Sequence, residues 1–435
     1  MTNTEKNKSI STTKKATLEK RKSQYCKVFK FKVDKSSLNT TQREHLIMFF
    51  NEAKWCYNYI LNWSKDNPIN DFDYKELKNI TKLDKDNNIV PITISHIGSS
   101  VKHNIVEKIK WSLKGLSVLK KNGYKVGGLR FKSEYNSIPL KQYGVTHKIE
   151  GSKFKIQGIK KPIKINGLKQ LSKYTDIDYA NANLLFDGID YFIALTCYID
   201  KNKIQHINTN KSVGIDFGCA TSLTLSDTTK IDIDIKGTGR LKKLQRKLER
   251  QKKGSNNRNK TKLAIRKEYR HINNIKNDIA NKTVNRLLKN FDVIVTQDDN
   301  FNGWKDSDSK NEKIQHSVLG RIKDKLACSS QTVLLERWFP TTKQCTNCGT
   351  KIDIEQNERT FKCPNCGLIA DRDVHAAQNM LYYYNTFKDA SGTDGTSKSV
   401  SNGTFKLSYK KFLSAVAKQE DTILYGCISS PISFE

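Results

Sequence analysis

Four cysteines in CTNCGTKIDIEQNERTFKCPNCG constrain the fold more than any other residues of this chain. Cys345, Cys348, Cys363 and Cys366 are spaced as C-x2-C, fourteen residues, C-x2-C. Each pair sets two thiolates on one tight turn, and a short hairpin brings the pairs together around a tetrahedral ion. A glycine follows each pair, Gly349 and Gly367, and permits the turn. Four thiolates close the coordination sphere, so the spacing predicts one structural Zn2+ with no open position for catalysis. An iron centre of rubredoxin type is the alternative occupant. Cys26, Cys56, Cys197, Cys219, Cys328 and Cys427 are scattered singly and read as ordinary thiols.

Charge narrows the partners. Seventy-seven Lys and Arg stand against 44 Asp and Glu, a formal net charge of +33 on 435 residues. Self-repulsion of that size strains a compact fold unless a polyanion neutralises it, and phosphate neutralisation drives nucleic-acid binding. Lysine-rich codon usage would also add lysine, but it should raise Asp and Glu in step. Mean hydropathy is −0.65, and no apolar run approaches the eighteen or so residues of a membrane helix. The N-terminus, MTNTEKNKSISTTKKATLEKRKSQ, lacks the apolar core of a signal peptide. The expectation is a cytoplasmic chain without a membrane partner.

Hydrophobic periodicity predicts an α+β multidomain chain. Residues 1–24 are polar, basic and aperiodic, which predicts a disordered arm. Phe29, Phe31 and Val33 then alternate with Lys30 and Lys32 as a half-exposed strand. Over 41–64 the spacing turns helical, with Leu46, Phe49, Phe50, Ala53, Tyr57, Ile60 and Leu61 on one face and Thr40 or Thr41 as N-cap. Further helix is expected over 65–115, and strands over 120–205. Strands, a helical insertion, then strands again predict a β-barrel carrying a helical lobe. KSVGIDFGCATSLTLSD (211–227) reads as a hairpin. Two strongly basic helical stretches follow, broken at GSNNR, and predict a phosphate-gripping helical hairpin. After it come the strand FDVIVTQDDN, a helix near 313–328 and the strand TVLLERWF. This order is an α/β reading. The last residues, from 389, give no clear pattern and read as a mostly unstructured tail.

Carboxylates fall at element ends in that region: Asp216 on the first strand, Asp298 and Asp299 after FDVIVTQ, and Asp371 and Asp373 at a helix entry in LIADRDVHAAQNML. Taken singly, the aspartates of DRD are capping residues, and Asp299 is a turn acid. Taken together, they suit two-metal phosphodiester hydrolysis, which holds two Mg2+ about 4 Å apart with acids from separate elements. Ribonuclease-H-like folds arrange acids in this way.

GIDFG around Asp216, LQRKLERQKKGSNNRNKTK, FPTTKQCTNCG…FKCPNCG and DRDVHAAQNM resemble the TnpB family of transposon-encoded RNA-guided DNA endonucleases and the miniature type V CRISPR effectors. FNEAKWCYNYIL and IPLKQYG look like that family too, and the resemblance covers roughly residues 25–385. It implies a wedge β-barrel over 25–205 with a helical recognition insertion at about 41–120. A RuvC-like nuclease domain would be split into 206–340 and 370–388, with the zinc ribbon inserted at 341–369. It also implies a guide RNA, a target double-stranded DNA with a short flanking motif, and cleavage by a RuvC-like site. Asp216 would be the first metal carboxylate and Asp373 the third. Relatives commonly carry a glutamate where Gln297 stands. A branch carries Gln-Asp-Glu, which Gln297, Asp298 and Asp299 match. Residues two apart on a strand share a face, so Asp299 is assigned as second carboxylate, with Glu336 as an auxiliary. The predicted function is thus an RNA-guided endonuclease using two Mg2+ at Asp216, Asp299 and Asp373. A nuclease-deficient RNA-guided binder and, further off, a transposase are the alternatives. Monomer and homodimer on one guide both suit the resemblance.

Overall fold

Phe29, Phe31 and Val33 are buried and Lys30 and Lys32 exposed along β1 (Gln24–Val33), as the alternation requires. In the computed structural model, which describes residues 3–84, 86, 88–201, 209–233, 235, 239–301, 317–355, 358–391 and 404–417, the chain divides into two compact units, 1–204 and 205–435.

In the first unit β1 is the middle strand of a seven-stranded antiparallel sheet. On one side lie β9 (Tyr191–Asp200), β8 (Asp178–Phe186) and β4 (Ser137–Leu140); on the other lie β7 (Ile163–Asn166), β6 (Lys153–Ile156) and β5 (His147–Glu150). The sheet curls into a nearly closed barrel. His147 at the β5 edge bonds through Nε2 to the carbonyl of Ala180 on β8 at 3.0 Å, and Tyr143 stacks on Tyr179 at 4.9 Å. Between β1 and β4 run α2 (Thr40–Trp63), a small hairpin of β2 (Asn79–Leu83) and β3 (Ile89–Thr93), and α3 (Ser99–Lys121). Every residue assigned to the apolar face of α2 is buried. Its N-cap is Asn39 rather than a threonine, in a capping box with Gln42.

Three expectations need correction. The basic arm is helical: α1 (Asn3–Lys22) leads into β1. The pattern is silent because α1 docks through polar and basic residues of its last turn, with Lys20 on Asp178 at 2.7 Å and Arg21 over the Tyr198 ring at 3.5 Å. The stretch 65–115 contains the β2–β3 hairpin, whose five-residue strands are too short to show a period. The tail after 389 is structured where it is described. β17 (Phe405–Leu407) joins the second unit's sheet, and a helix, α8, follows over 409–417. Apolar residues in this part (Phe405, Leu407, Phe412) are few but buried. Residues 313–316 of the helix expected near 313–328 lie outside the described residues.

The second unit is built on a six-stranded mixed sheet ordered β12-β11-β10-β13-β14-β17. The strands are β10 (Ser212–Phe217), β11 (Leu223–Leu225), β12 (Lys230–Ile231), β13 (Val293–Gln297) and β14 (Thr332–Leu335), with β17 at the edge. Strands β10 to β12 are antiparallel neighbours, whereas β10, β13, β14 and β17 run parallel. One face of β10 (Val213, Ile215, Phe217) packs on α5 (Asn256–Asn290) and α6 (Leu319–Leu326). The other face is covered by α7 (Arg372–Ser391), whose Met380, Tyr383 and Phe387 pack with Val295, Val333 and Leu335. Gly214 sets how closely α7 approaches, since a Cβ there would lie 1.9 Å from the Ala377 carbonyl oxygen. Helix α4 (Gly239–Glu249) folds back against α5. Gly254 turns the chain at φ +86, Ser255 caps α5 by accepting from Arg258 N, and the Arg258 guanidinium holds the carbonyls of Leu248 and Gln251.

Candidate active site

Asp216 lies two residues after Gly214 on β10, so both face α7. Asp373 is the second residue of α7. The helix entry is capped by Asp371, the last residue of β16 (Ile369–Asp371), whose Oδ1 accepts from the backbone N–H of Asp373 and of Val374, both at 3.1 Å. The two acids of DRD therefore divide the work. Asp371 caps the helix, is exposed and pairs with Lys230 at 2.7 Å, which leaves Asp373 toward β10.

Asp299 arrives by a different route from the one alternation predicts. Gln297 ends β13, Asp298 N donates to Leu335 O at 2.8 Å, and Asp299 N turns back to Gln297 O at 2.9 Å. This tight turn, not a shared strand face, places Asp299. Lys323 of α6 fixes the turn, donating to Asp298 Oδ1 at 3.0 Å and to the Asp299 carbonyl at 2.5 Å. Asp298 also faces Lys406 at 3.8 Å. The two neighbouring acids thus differ: cations hold Asp298 below the ordinary carboxylate range despite its partial burial, whereas burial pushes Asp299 up to about 6 against the pull of Lys323 and Arg337.

Asp216 binds this group together electrostatically. Burial first, then the negative charges of Asp299 and Asp373, push its carboxyl well above the ordinary range, with Arg372 opposing. Carboxylates from the turn after β13 and the start of α7 therefore both act on the one from β10. Arg372 and Arg359 stand 3.5 and 3.7 Å from Asp373. Like charges gathered under partial burial are what a divalent cation relieves. Their oxygens are not drawn into a single group within 4.8 Å. Glu336 does not join them. Its carboxylate accepts from Tyr409 N at 3.1 Å at the start of α8.

The cysteines converge. Cys345, Cys348, Cys363 and Cys366 bring all four Sγ atoms within 4.8 Å, the one such group of three or more metal-binding side chains among the described residues. Cys345–Cys366 and Cys348–Cys363 are each 3.5 Å apart, near the roughly 3.8 Å that a tetrahedron of ~2.3 Å Zn–S bonds requires. The two turns are copies of each other. Gly349 N donates to Cys345 O and Gly367 N to Cys363 O, both at 3.0 Å, with φ of +72 and +73. Hydrogen bonding to Thr350 and Asn365 brings the Cys348 thiol down to about 5, toward the thiolate that a metal needs.

Sequence reading missed the residues that tie this ribbon to α7. His375 is fully buried and stacks on Phe361 of β15 (Thr360–Lys362) at 3.8 Å, and its Nε2 accepts from Thr346 N at 3.4 Å. One turn on, Asn379 donates to the carbonyls of Thr341 and Gln344, both at 2.7 Å. A histidine and an asparagine four apart beside Ala376 and Ala377 were the available signal.

Comparisons with known proteins agree with the motifs. A family model described as "Cas12f1-like, TNB domain" matches residues 318–380, and one described as "Probable transposase" matches 196–307. A Streptomyces pristinaespiralis protein named "Putative RNA-guided DNA endonuclease" is 31% identical over 200 residues, 44% of this chain and 49% of that protein. Three TnpB-like proteins of Acanthamoeba polyphaga mimivirus are each 30% identical over 203 residues, 40% of this chain and 37–38% of theirs. The chain spans about half the length, or less, of these relatives. A structure titled "Cryo-EM structure of the Cas12f1-sgRNA-target DNA complex" aligns with 82% of this chain and 99% of its own, at 13% identity and a TM-score of 0.45. The resemblance to TnpB-like and Cas12f1-like proteins is borne out. Among the described residues no helix is long and apolar enough to cross a membrane.

Proposed function

We propose that this chain, a relative of the TnpB-like and Cas12f1-like proteins, is an RNA-guided DNA endonuclease with a RuvC-like site at Asp216, Asp299 and Asp373. The observation that supports the reading is the placement of Asp216 on β10, Asp299 in the turn after β13 and Asp373 at the start of the helix that covers β10, with the charges of the last two raising the Asp216 carboxyl. Three antiparallel strands continued by parallel ones, β10 central, suit a ribonuclease-H-like domain over 206–340 and 370–388. The curled first unit suits a wedge barrel with its recognition insertion at about 41–120. Relatives named as RNA-guided endonucleases supply the guide RNA and the DNA target by analogy.

Two Mg2+ at the aspartates would supply an activated water and a counter-charge for the leaving oxyanion. The chain's own residues prepare that site. Lys323 holds the Asp298–Asp299 turn, Gly214 lets α7 press Asp373 toward β10, and Arg359 and Arg372 balance Asp373. His375 and Asn379 anchor α7 to the ribbon over 341–369, where Cys345, Cys348, Cys363 and Cys366 suit one structural Zn2+ with no position left open. Guide pairing would then select the target, and the protein would read heteroduplex shape and the flanking motif.

One observation favours a second reading, a guided binder without nuclease activity: a buried glutamine, Gln297, ends β13 where relatives commonly carry an acid. Purified protein with its co-purified RNA, incubated with a plasmid library of randomised motifs flanking the guide-matched target, separates the two. Mg2+-dependent cuts beside one motif are expected. Target binding with no cuts at any Mg2+ concentration overturns the nuclease reading.

A further inference from the structure

The place of Gln297 has a positive use. Its side chain is buried, at 8% exposure. Nε2 donates to the carbonyls of Glu336 at 3.3 Å and Phe339 at 3.0 Å, and Oε1 accepts from Thr341 Oγ1 at 3.1 Å. Those two carbonyls are the ends of a β-turn closed by Phe339 N on Glu336 O at 3.2 Å. An amide has two donor hydrogens and matches both ends; a carboxylate has none. The corner residues are Arg337 and Trp338. Both are exposed, Trp338 at 73%, while Phe339 anchors the turn among Tyr383, Tyr409 and Phe412. The turn leaves β14 where Leu335 pairs with Gln297 and accepts from Asp298 N, which puts it beside Asp299.

A large indole held out to solvent by a buried clamp, next to an arginine and at the rim of an acid cluster, matches the chemistry of a single-stranded nucleic acid. Aromatic faces stack bases, and arginine grips phosphate. We propose that the Arg337–Trp338 turn is a contact for the DNA strand being cut, with Trp338 stacking a base next to the scissile phosphate, Arg337 engaging the backbone, and Gln297 acting as the residue that positions the turn. The inference rests on the nuclease reading above, since it needs a strand to enter at Asp216, Asp299 and Asp373.

The test uses the full ribonucleoprotein with a fluorescent target. Trp338→Ala is expected to slow cleavage about tenfold, within the range for losing one stacked base. Trp338→Phe should stay within about twofold of the parent, because it keeps a stacking face. Gln297→Glu should fall with Trp338→Ala, and the double variant should be no worse than either, since one turn carries both effects. In the uncut complex of Asp216→Asn, 2-aminopurine placed along the strand should brighten at one position on Trp338→Ala. Cleavage and probe signal both unchanged by Trp338→Ala, or Gln297→Glu cutting faster than the parent, would overturn the inference while leaving the nuclease reading intact. A parent that never cuts sinks the nuclease reading instead, and the probe then reports on Trp338 separately.

Discussion

Adjacent aspartates give the sharpest contrast at the scale of single residues. Asp298 is spoken for by Lys323 and Lys406, whereas burial raises Asp299, and its charge is felt at Asp216. Asp299→Ala should abolish cleavage and spare target binding, and Asp298→Ala should keep most cleavage, with a stability loss below about 1 kcal/mol for a partly exposed pair. Cleavage and filter-binding assays on the two variants decide it; full activity in Asp299→Ala rejects the assignment. Gly214→Ala tests the packing that brings Asp373 to Asp216. The added methyl meets a helix carbonyl at 1.9 Å, and helix α7 has to move. A loss of about 3 kcal/mol or more is expected in urea unfolding, at the upper end for overpacking, together with loss of cleavage. The cysteine cluster was legible from its C-x2-C spacing and the glycine after each pair, and Asp216 was proposed from its place on a strand in GIDFG. The proposal of Asp299 invoked a rule that does not operate there, since the strand ends at Gln297 and a turn takes over.

Elements show where legibility stops. Helix α2 could be read residue by residue because its apolar face is buried over six turns in one core. The β2–β3 hairpin could not, because its strands are too short to show a period, and β17 and the docking of α1 could not, because their partners are distant in sequence. His147 is such a case. It is a buried histidine on an edge strand that helps close the barrel by bonding Ala180, and burial brings it down to about 4. A histidine held neutral adds stability in full above the ordinary 6.5, and that stability is lost as pH falls from 6.5 toward 4. The interval is worth about 3 kcal/mol at most. Hydrogen exchange at amides of β4 to β9 should therefore speed up as pH drops through this window, after correction for intrinsic rates. His147→Gln, which keeps a donor for Ala180 but does not titrate, should flatten the trend. For the ribbon, chelation should release about one equivalent of zinc and expose amides of 343–372 together with the first turn of α7, through His375 and Phe361. Release of metal without a change at α7 would deny that coupling.

At the scale of the whole molecule, the densest part of the +33 charge lies on one helical hairpin. Helices α4 and α5 carry fifteen Lys and Arg against three acids, so three acids leave most of that charge unneutralised. Arg240 pairs with Glu268 at 3.6 Å and Lys282 with Asp278 at 2.7 Å. Basic side chains on this hairpin, held by the Ser255 cap and the Arg258 clamp, would meet the phosphates of the nucleic acid proposed above. Each phosphate contact contributes about −0.9 to the slope of log K against log salt on duplex DNA and about −0.7 on a single strand. Replacing Arg246, Lys247, Lys260 and Lys267 with glutamine should therefore flatten the salt dependence of nucleic-acid affinity by about 3 units if all four touch phosphate. It should weaken matched and mismatched targets alike, because phosphate contacts carry no sequence information. Trp338→Ala should leave the salt slope where it was, since stacking releases no counterions. If the glutamine variant keeps the parent slope, the charge on α4 and α5 serves solubility, and the phosphate grip lies elsewhere on the chain. Measured together, the two slopes assign strand affinity to the basic hairpin and placement of the cut to the turn beside Asp299.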